Sequence, residues 1–258
     1  MKAMILAAGF GTRLRPLTDS VPKPLLPVGG VPLIVWNLLL LRRHGFREVV
    51  INLHYRGSMI EEALGDGSQF GLRIIYSKET TILGTGGGIK QAEPYFDGGP
   101  VLVLNGDTLV ELDLDDLMAF HRDHQAAATL VLREDDDVSR WGVVEVGAEH
   151  RIVRITGRGL DDGGPTMPRM FAGIHILDLR LLKAVSRGAV LSIIDPYVAA
   201  IKRGERVLGY DMHGYWSDVG TLQRYRQAEQ DVAAGLIRLK DRQFIATSSG
   251  TSLISSTV

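Results

Sequence analysis

The chain contains no cysteine among its 258 residues, which excludes disulfides and thiolate metal sites and fits a reducing compartment. Its formal net charge is only −1, so the broad basic face that general nucleic-acid binding favours is missing. No apolar run approaches the roughly 18 residues of a membrane span. The nearest candidate, Val31 to Leu41, is broken by Asn37 and followed by Arg42 and Arg43. The apolar run behind Met1 and Lys2 ends at Gly9, too short for a secretory signal core with its cleavage site. The seven histidines show no His-x-x-x-His spacing, which argues against zinc. A Gly-x-Ser-x-Gly elbow is absent, as are the Gly-x-x-x-x-Gly-Lys-Ser/Thr loop and any internal or hexapeptide repeat. These absences point to a soluble cytoplasmic protein with neither a nucleic-acid nor a membrane partner, and leave homo-oligomerisation open. At 45% hydrophobic and 23% charged, the composition is that of an ordinary globule. Its length lies at the upper edge for one domain, able to bury roughly three quarters of the unfolded surface.

What is present is concentrated in the first thirty residues. The apolar run Met4 to Ala8 breaks into a glycine-punctuated turn, Gly9-Phe10-Gly11-Thr12, and the cations Arg13 and Lys23 follow. Glycines let backbone N–H groups approach an anion closely, and the two cations can hold what the amides alone cannot. Lys2, Arg13, Arg15 and Lys23 face only Asp19 between Lys2 and Gly30, an excess of +3 in a chain of −1. This reads as a polyphosphate site, although Leu14 stands where a Gly-x-Gly-x-x-Gly fingerprint would carry its third glycine.

Strand-like runs at Ala3–Ala7, Glu48–Asn52, Arg73–Tyr76 and Val101–Leu104 alternate with helical patterns at Pro32–His44, Ser58–Leu64 and Gly87–Ala92. Gly45 suits a helix C-cap, and Asp115 an N-cap for a helix through Leu117, Phe120 and His124. The alternation predicts an α/β fold: a Rossmann-like, mostly parallel sheet flanked by helices, with ligands beyond the carboxyl ends of its strands. The Gly9 turn and Asp107 both fall at such ends. Further on, Ala127–Leu132, Gly142–Val146, Arg151–Ile155 and Met170–Leu177 read as a mixed sheet, followed by helices at Leu179–Val185, Ile193–Arg203 and Thr221–Ala234. Residues 1–235 are expected to form one catalytic domain, and the Ser/Thr-rich stretch 236–258 a flexible tail.

Five motifs in order make the chain resemble the sugar-phosphate nucleotidylyltransferases, or sugar-nucleotide pyrophosphorylases. They are Leu6 to Leu14 with Pro22-Lys23-Pro24, Leu83 to Gly88, Asn105-Gly106-Asp107, Trp141 to Val144, and Trp216 to Thr221. The resemblance implies the nucleotide-diphospho-sugar transferase fold and transfer of a nucleotidyl group from a nucleoside triphosphate to a sugar 1-phosphate, releasing pyrophosphate. The attacking phosphate oxygen is already an anion, so positioning and charge neutralisation carry the rate. Arg13, a planar fork, would bridge the α-phosphate and the departing pyrophosphate, and Lys23 would meet the α-phosphate as a point charge. Leu6, Ala7, Ala8, Gly9, Gly11 and Thr12 would cradle the nucleotide with Gly84, Thr85, Gly86 and Asn105. Asp107 and Asp218 would hold Mg²⁺, which takes one or two carboxylates together with phosphates and waters.

Glu79 lies where relatives place a base-reading side chain. A carboxylate accepts hydrogen bonds from the adjacent N1–H and N2–H of guanine, favouring GTP with mannose 1-phosphate. Uracil also presents an N3–H, and UTP with N-acetylmuramic acid 1-phosphate, or another hexose or heptose 1-phosphate, stands as the alternative. One departure is plain: the family's Glu-Lys-Pro is replaced by Gly157-Arg158-Gly159. Arg158 would keep the phosphate contact while Gly157 leaves the hydroxyl contact vacant. Gly142, Glu145, Ala172 and Gly173 complete the expected sugar face. A non-catalytic nucleotide-sugar sensor is the rival from another class, and joint retention of Arg13, Lys23, Asp107 and Asp218 speaks against it.

Overall fold

The computed structural model describes residues 1–160 and 163–239. In its first half the chain runs β1 (Lys2–Leu6), α1 (Leu17–Ser20), β2 (Pro27–Val28), β3 (Val31–Pro32), α2 (Leu33–Arg43), β4 (Glu48–Leu53), α3 (Gly57–Leu64), β5 (Arg73–Lys78), α4 (Gly84–Ala92) and β6 (Val101–Asn105). It continues through β7 (Thr108–Val110), α5 (Leu114–Asp123), β8 (Ala128–Arg133), β9 (Val143–Val146), β10 (Ile152–Ile155), β11 (Arg158–Gly159), β12 (Met167–Leu177), α6 (Ile194–Lys202), β13 (Val207–Asp211), β14 (Trp216–Asp218) and α7 (Leu222–Ala233).

Ten strands form one sheet. Its path runs β11-β10-β9-β12-β6-β1-β4-β5, with β8 joined to β12 and β13. The pairs β1–β4, β4–β5 and β1–β6 are parallel, as the alternation of strands and helices requires, whereas β12 runs antiparallel to β6, β8 and β9. The expected parallel half and mixed half are therefore both present in one continuous sheet. Side chains alternate across it. Ala3, Ile5, Leu102 and Leu104 join the core under α2, α3, α5 and α7, while Met4, Val101 and Val103 join the second core with Ile89 of α4 and Tyr197, Val198 and Ile201 of α6.

Leu6 stands opposite Asn52 of β4 and Asn105 of β6, so three carboxyl ends are in register at the point where the chain order reverses around β1. The small antiparallel pair β7–β14 sits beyond this edge and aligns Thr108 with Asp218. With Val219 N donating to the Asp107 carbonyl at 3.0 Å, it brings two distant aspartates side by side.

Three local expectations are corrected. The N-cap of α5 is Asp113, whose Oδ1 accepts from the amides of Asp115 and Asp116 at 2.9 and 3.1 Å; Asp115 is the second residue of the first turn. Only a 3₁₀ turn, Leu179–Leu182, forms where a helix to Val185 was expected. The helix expected from Gly87 begins at Gly84, so the glycine run is helical rather than an open loop. Gly45 follows the last turn of α2 with φ 79°, as its C-cap assignment requires, donating to the Arg42 carbonyl. Of the expected tail, Ile237 is packed into the first core, and residues 240–258 lie outside those described.

Candidate active site

A cleft of about 460 Å³ opens at the carboxyl ends of β1, β4 and β6. Leu6, Ala7, Ala8, Gly9, Gly11, Thr12, Arg13, Lys23, Glu79, Gly84, Thr85, Asn105 and Asp107 all line it, together with residues whose spacing had not singled them out, among them Asn52 and Gly220. Gly86 does not line it. Its α-carbon faces the 189–193 segment, where a Cβ would sit 3.0 Å from the Ser192 carbonyl. The glycine run therefore serves close helix packing at that position.

The floor is a chain of fixed hydrogen bonds. Ala7 N donates to Asn52 Oδ1 at 2.8 Å, Asn52 Nδ2 donates to Glu79 Oε1 at 2.6 Å, and Leu83 N donates to Glu79 Oε2 at 3.0 Å. The ends of β1, β4 and β5 are thus tied to the start of α4. Asn52 and Glu79 are 3% and 6% exposed. A buried asparagine that interrupts the run Val-Val-Ile-Asn-Leu has to find partners for both ends of its amide, and that was the available signal for it. Glu79 lines the cleft as expected, and with each carboxylate oxygen accepting one hydrogen bond from the protein it also braces the floor.

At the cleft's cationic end Lys23 sits on a 3₁₀ turn behind Pro22, its side chain only 10% exposed. Its Nζ pairs with Asp107 Oδ2 and lies 3.8 Å from Asp218 Oδ1. Asp218 Oδ1 is buried and has no hydrogen-bond partner among the described residues. Burial, and after it the Asp107 carboxylate, push the Asp218 carboxyl above its ordinary range against the pull of Lys23, Arg224 and Arg13. Arg13 is exposed and makes no hydrogen bond or ion pair among the described residues. Two hard carboxylates, one with an orphaned oxygen, beside a mobile-length ammonium and a free guanidinium form a place for a phosphate chain with a divalent cation.

The expected sugar residues are placed differently. Ala172 and Gly173 lie in a bulge of β12, where the pairing with β8 shifts between Phe171–Leu132 and His175–Leu130. Gly173, at φ 76°, lies against the Asn105 amide that borders the cleft, so any Cβ there would strike it. Trp216 Nε1 donates to the Ala172 carbonyl at 2.9 Å, and its ring meets Trp141 edge-on at 5.3 Å. Gly142, beside Trp141, is held at φ 88° against Thr156. Two of the expected sugar residues are engaged by other side chains. Glu145 is clasped by Arg154, Nε to Oε1 at 2.8 Å, and also accepts from Thr166, so it is not an open hydroxyl acceptor. Arg158, on edge strand β11, pairs with Asp195 at 2.8 Å on the exposed surface and does not line the cleft.

A profile of the Nucleotidyl transferase family matches residues 2–235. The chain belongs to this nucleotidyl transferase family. It is 40% identical over 232 residues to the N-acetylmuramate alpha-1-phosphate uridylyltransferase of Neisseria meningitidis serogroup B, covering 89% of this chain and 97% of that one. It is 33% identical to the mannose-1-phosphate guanylyltransferase of Mycobacterium tuberculosis, covering 91% of this chain but 65% of the relative. A solved Bacillus anthracis structure assigned as a glucose-1-phosphate thymidylyltransferase superposes with a TM-score of 0.81 at 26% identity, over 95% of this chain and 99% of that one. UDP-glucose pyrophosphorylase in complex with UDP-glucose, at 20% identity and a TM-score of 0.77, shares the fold. This nucleotidyltransferase is accordingly a sugar-1-phosphate nucleotidyltransferase, an enzyme of the class its motifs implied. Among its described residues no helix is long and apolar enough to cross a membrane.

Proposed function

We propose that this nucleotidyltransferase transfers a uridylyl group from UTP to N-acetylmuramic acid 1-phosphate in the cytoplasm, releasing pyrophosphate, with residues 1–235 acting as one catalytic domain. The observation that carries the choice of base is the 40% identity to a uridylyltransferase over 97% of that relative's length. The case for GTP rests on Glu79 reading the paired donors of guanine; Glu79 lines the cleft but already accepts one hydrogen bond at each oxygen, from Asn52 and Leu83, which leaves it less acceptor capacity than a free carboxylate. The uridylyltransferase relative, similar over nearly its whole length, supports the uracil reading. GTP with mannose 1-phosphate is the second reading, favoured by the Trp141-Gly142-Val143-Val144 motif and the guanylyltransferase relative.

In this reading a phosphate oxygen of the sugar 1-phosphate attacks the α-phosphorus, the bond to the β-phosphate oxygen breaks, and pyrophosphate leaves with both electrons of that bond. The amides of the Gly9 turn hold the β- and γ-phosphates, and the unpaired Arg13 fork neutralises the departing charge. Lys23 is a point charge for the α-phosphate, kept in place by its carboxylate partners while the site waits for nucleotide. Asp107 and Asp218 fit Mg²⁺, since the orphaned Asp218 Oδ1 lacks a donor that a cation would replace. Bound there, the ion would draw the phosphate oxygens together and take up charge that develops as pyrophosphate leaves.

The test is NDP-sugar formation with each of the four nucleoside triphosphates against N-acetylmuramic acid, mannose and glucose 1-phosphates. Product with UTP and N-acetylmuramic acid 1-phosphate alone is expected. Turnover confined to GTP and mannose 1-phosphate would instead support the second reading, and nucleotide binding without any product would favour a sensor.

A further inference from the structure

Arg224 lies in the first turn of α7, immediately beyond the Asp218-Val219-Gly220 segment, and nothing in the five motifs marks it. Its backbone amide is fixed by the N-cap Thr221, whose Oγ1 accepts from it at 3.3 Å. The guanidinium stands 4.8 Å from the centre of the Trp141 ring, and Nη2 lies 3.4 Å from Asp218 Oδ2. Its Nε is buried and has no hydrogen-bond partner among the described residues. A Cβ placed on Gly220, which lines the cleft, would sit 2.8 Å from Arg224 Nη2 and 3.1 Å from Arg13 Nη2. The bare glycine thus lets two guanidinium groups converge on one edge of the cleft.

We propose that Arg224 binds the phosphate of the incoming sugar 1-phosphate and turns its oxygen toward the α-phosphorus. This rests on the reaction proposed above. An acceptor whose sugar lies against Trp141 and Gly142, and whose phosphate reaches the Asp107–Asp218 pair, has to set that phosphate between the two. Arg224 spans that interval, touching Trp141 on one side and Asp218 on the other. It also supplies a cation that the Gly157-Arg158-Gly159 segment does not, because Arg158 is paired with Asp195 on the far edge of the sheet. A planar fork with an unsatisfied donor suits a phosphate better than a point charge would. The Trp141 ring holds the guanidinium in plane without consuming its hydrogen-bond donors.

The experiment compares Arg224→Gln and Arg224→Lys with the wild type by initial rates, varying each substrate in turn at saturating Mg²⁺, once the wild-type substrate pair has been found. If no pair turns over, the proposed reaction itself has failed, independently of Arg224. With an active wild type, Arg224→Gln should raise KM for the sugar 1-phosphate on the order of 10- to 100-fold, the loss of a charged hydrogen bond. KM for the nucleotide should stay within about 2-fold, and Arg224→Lys should recover part of the loss. Equal weakening of both substrates would overturn the proposal. So would a change confined to the Mg²⁺ concentration dependence, which would make Arg224 a positioning residue for Asp218. Loss of folded structure in both variants, read by thermal unfolding, would make it a strut between α7 and Trp141 and overturn it equally.

Discussion

The proposed nucleotide side and the proposed sugar side of the cleft are held in opposite ways. On the nucleotide side the polar groups point inward and are wired to the backbone: Ala7 N to Asn52, Asn52 to Glu79, and Glu79 to Leu83 N. The charged groups that matter there, Arg13 and the Lys23–Asp107–Asp218 cluster, stand at the mouth with capacity left over. On the sugar side the charged residues are spent on one another, Glu145 on Arg154 and Arg158 on Asp195. Beside them lie the aromatic rings of Trp141 and Trp216 over the bulge at Ala172 and Gly173, with Arg224 against Trp141. A phosphate chain is common to every donor of this family, so its subsite can be built rigidly. The proposed acceptor side differs in kind, its shape resting on packing more than on fixed charge.

Breaking the nucleotide side at its charges should have the largest effect. Arg13→Ala and Asp107→Ala are each expected to slow pyrophosphate release at least roughly 100-fold. Near wild-type rates for both would show that the charged end of the cleft takes no part in the chemistry. Breaking the wiring should act on stability. Asn52→Ala leaves the Ala7 amide and Glu79 Oε1 without partners, and each such buried group costs about 1–3 kcal/mol. The melting temperature should fall by roughly 5 °C or more in calorimetry; an unchanged value would mean the chain of bonds holds nothing.

The strand between the two sides offers a smaller, pH-dependent effect. His175 of β12 is fully enclosed, bonded to the Tyr197 hydroxyl, and burial pushes its pKa down from 6.5 to about 3. The unfolded chain therefore takes up a proton there that the folded one refuses. Stability should be full above pH 6.5 and decline as pH falls toward 3, by at most about 1.4 kcal/mol per pH unit from this group. Urea unfolding at pH 7 and pH 5 should show the loss, and His175→Gln should flatten the slope. A His175→Gln slope equal to the wild type's would remove His175 as its source. Smallest of all, Arg158→Ala removes only an exposed ion pair, worth under about 1 kcal/mol. Activity should stay within about 2-fold, and a large rise in KM for the sugar phosphate would return Arg158 to the acceptor site.

The same contrast decides how much could be read in the chain of letters. That Gly9 to Thr12, Arg13, Lys23 and Asp107 share one cleft was legible because strand ends and the turns after them are local arrangements. The parallel half of the sheet was legible for the same reason, through β-branched runs alternating with helical periods. Asn52 went unread because its task depends on Ala7 and Glu79, which lie 45 residues before it and 27 after it. The bracing part played by Glu79 was hidden for the same cause, since Asn52 and Leu83 N reach its carboxylate only in the fold. Gly86 and Arg158 were assigned by motif position, and their neighbours across the fold, Ser192 and Asp195, gave them other work. Asp113 outcompeted Asp115 as a cap because its extended backbone lets one oxygen reach two amides.

The contrast between a donor side fixed by hydrogen bonds and an acceptor side that rests on packing, and so needs the bound nucleotide to hold its ligand, is tested most directly by equilibrium binding in either order. A non-hydrolysable UTP analogue with Mg²⁺ should bind whether or not the sugar 1-phosphate is present. The sugar 1-phosphate should bind measurably only once the nucleotide analogue is in place. Equally tight binding of the sugar phosphate to the free protein would contradict the account, because it would mean that the acceptor side needs nothing from the donor.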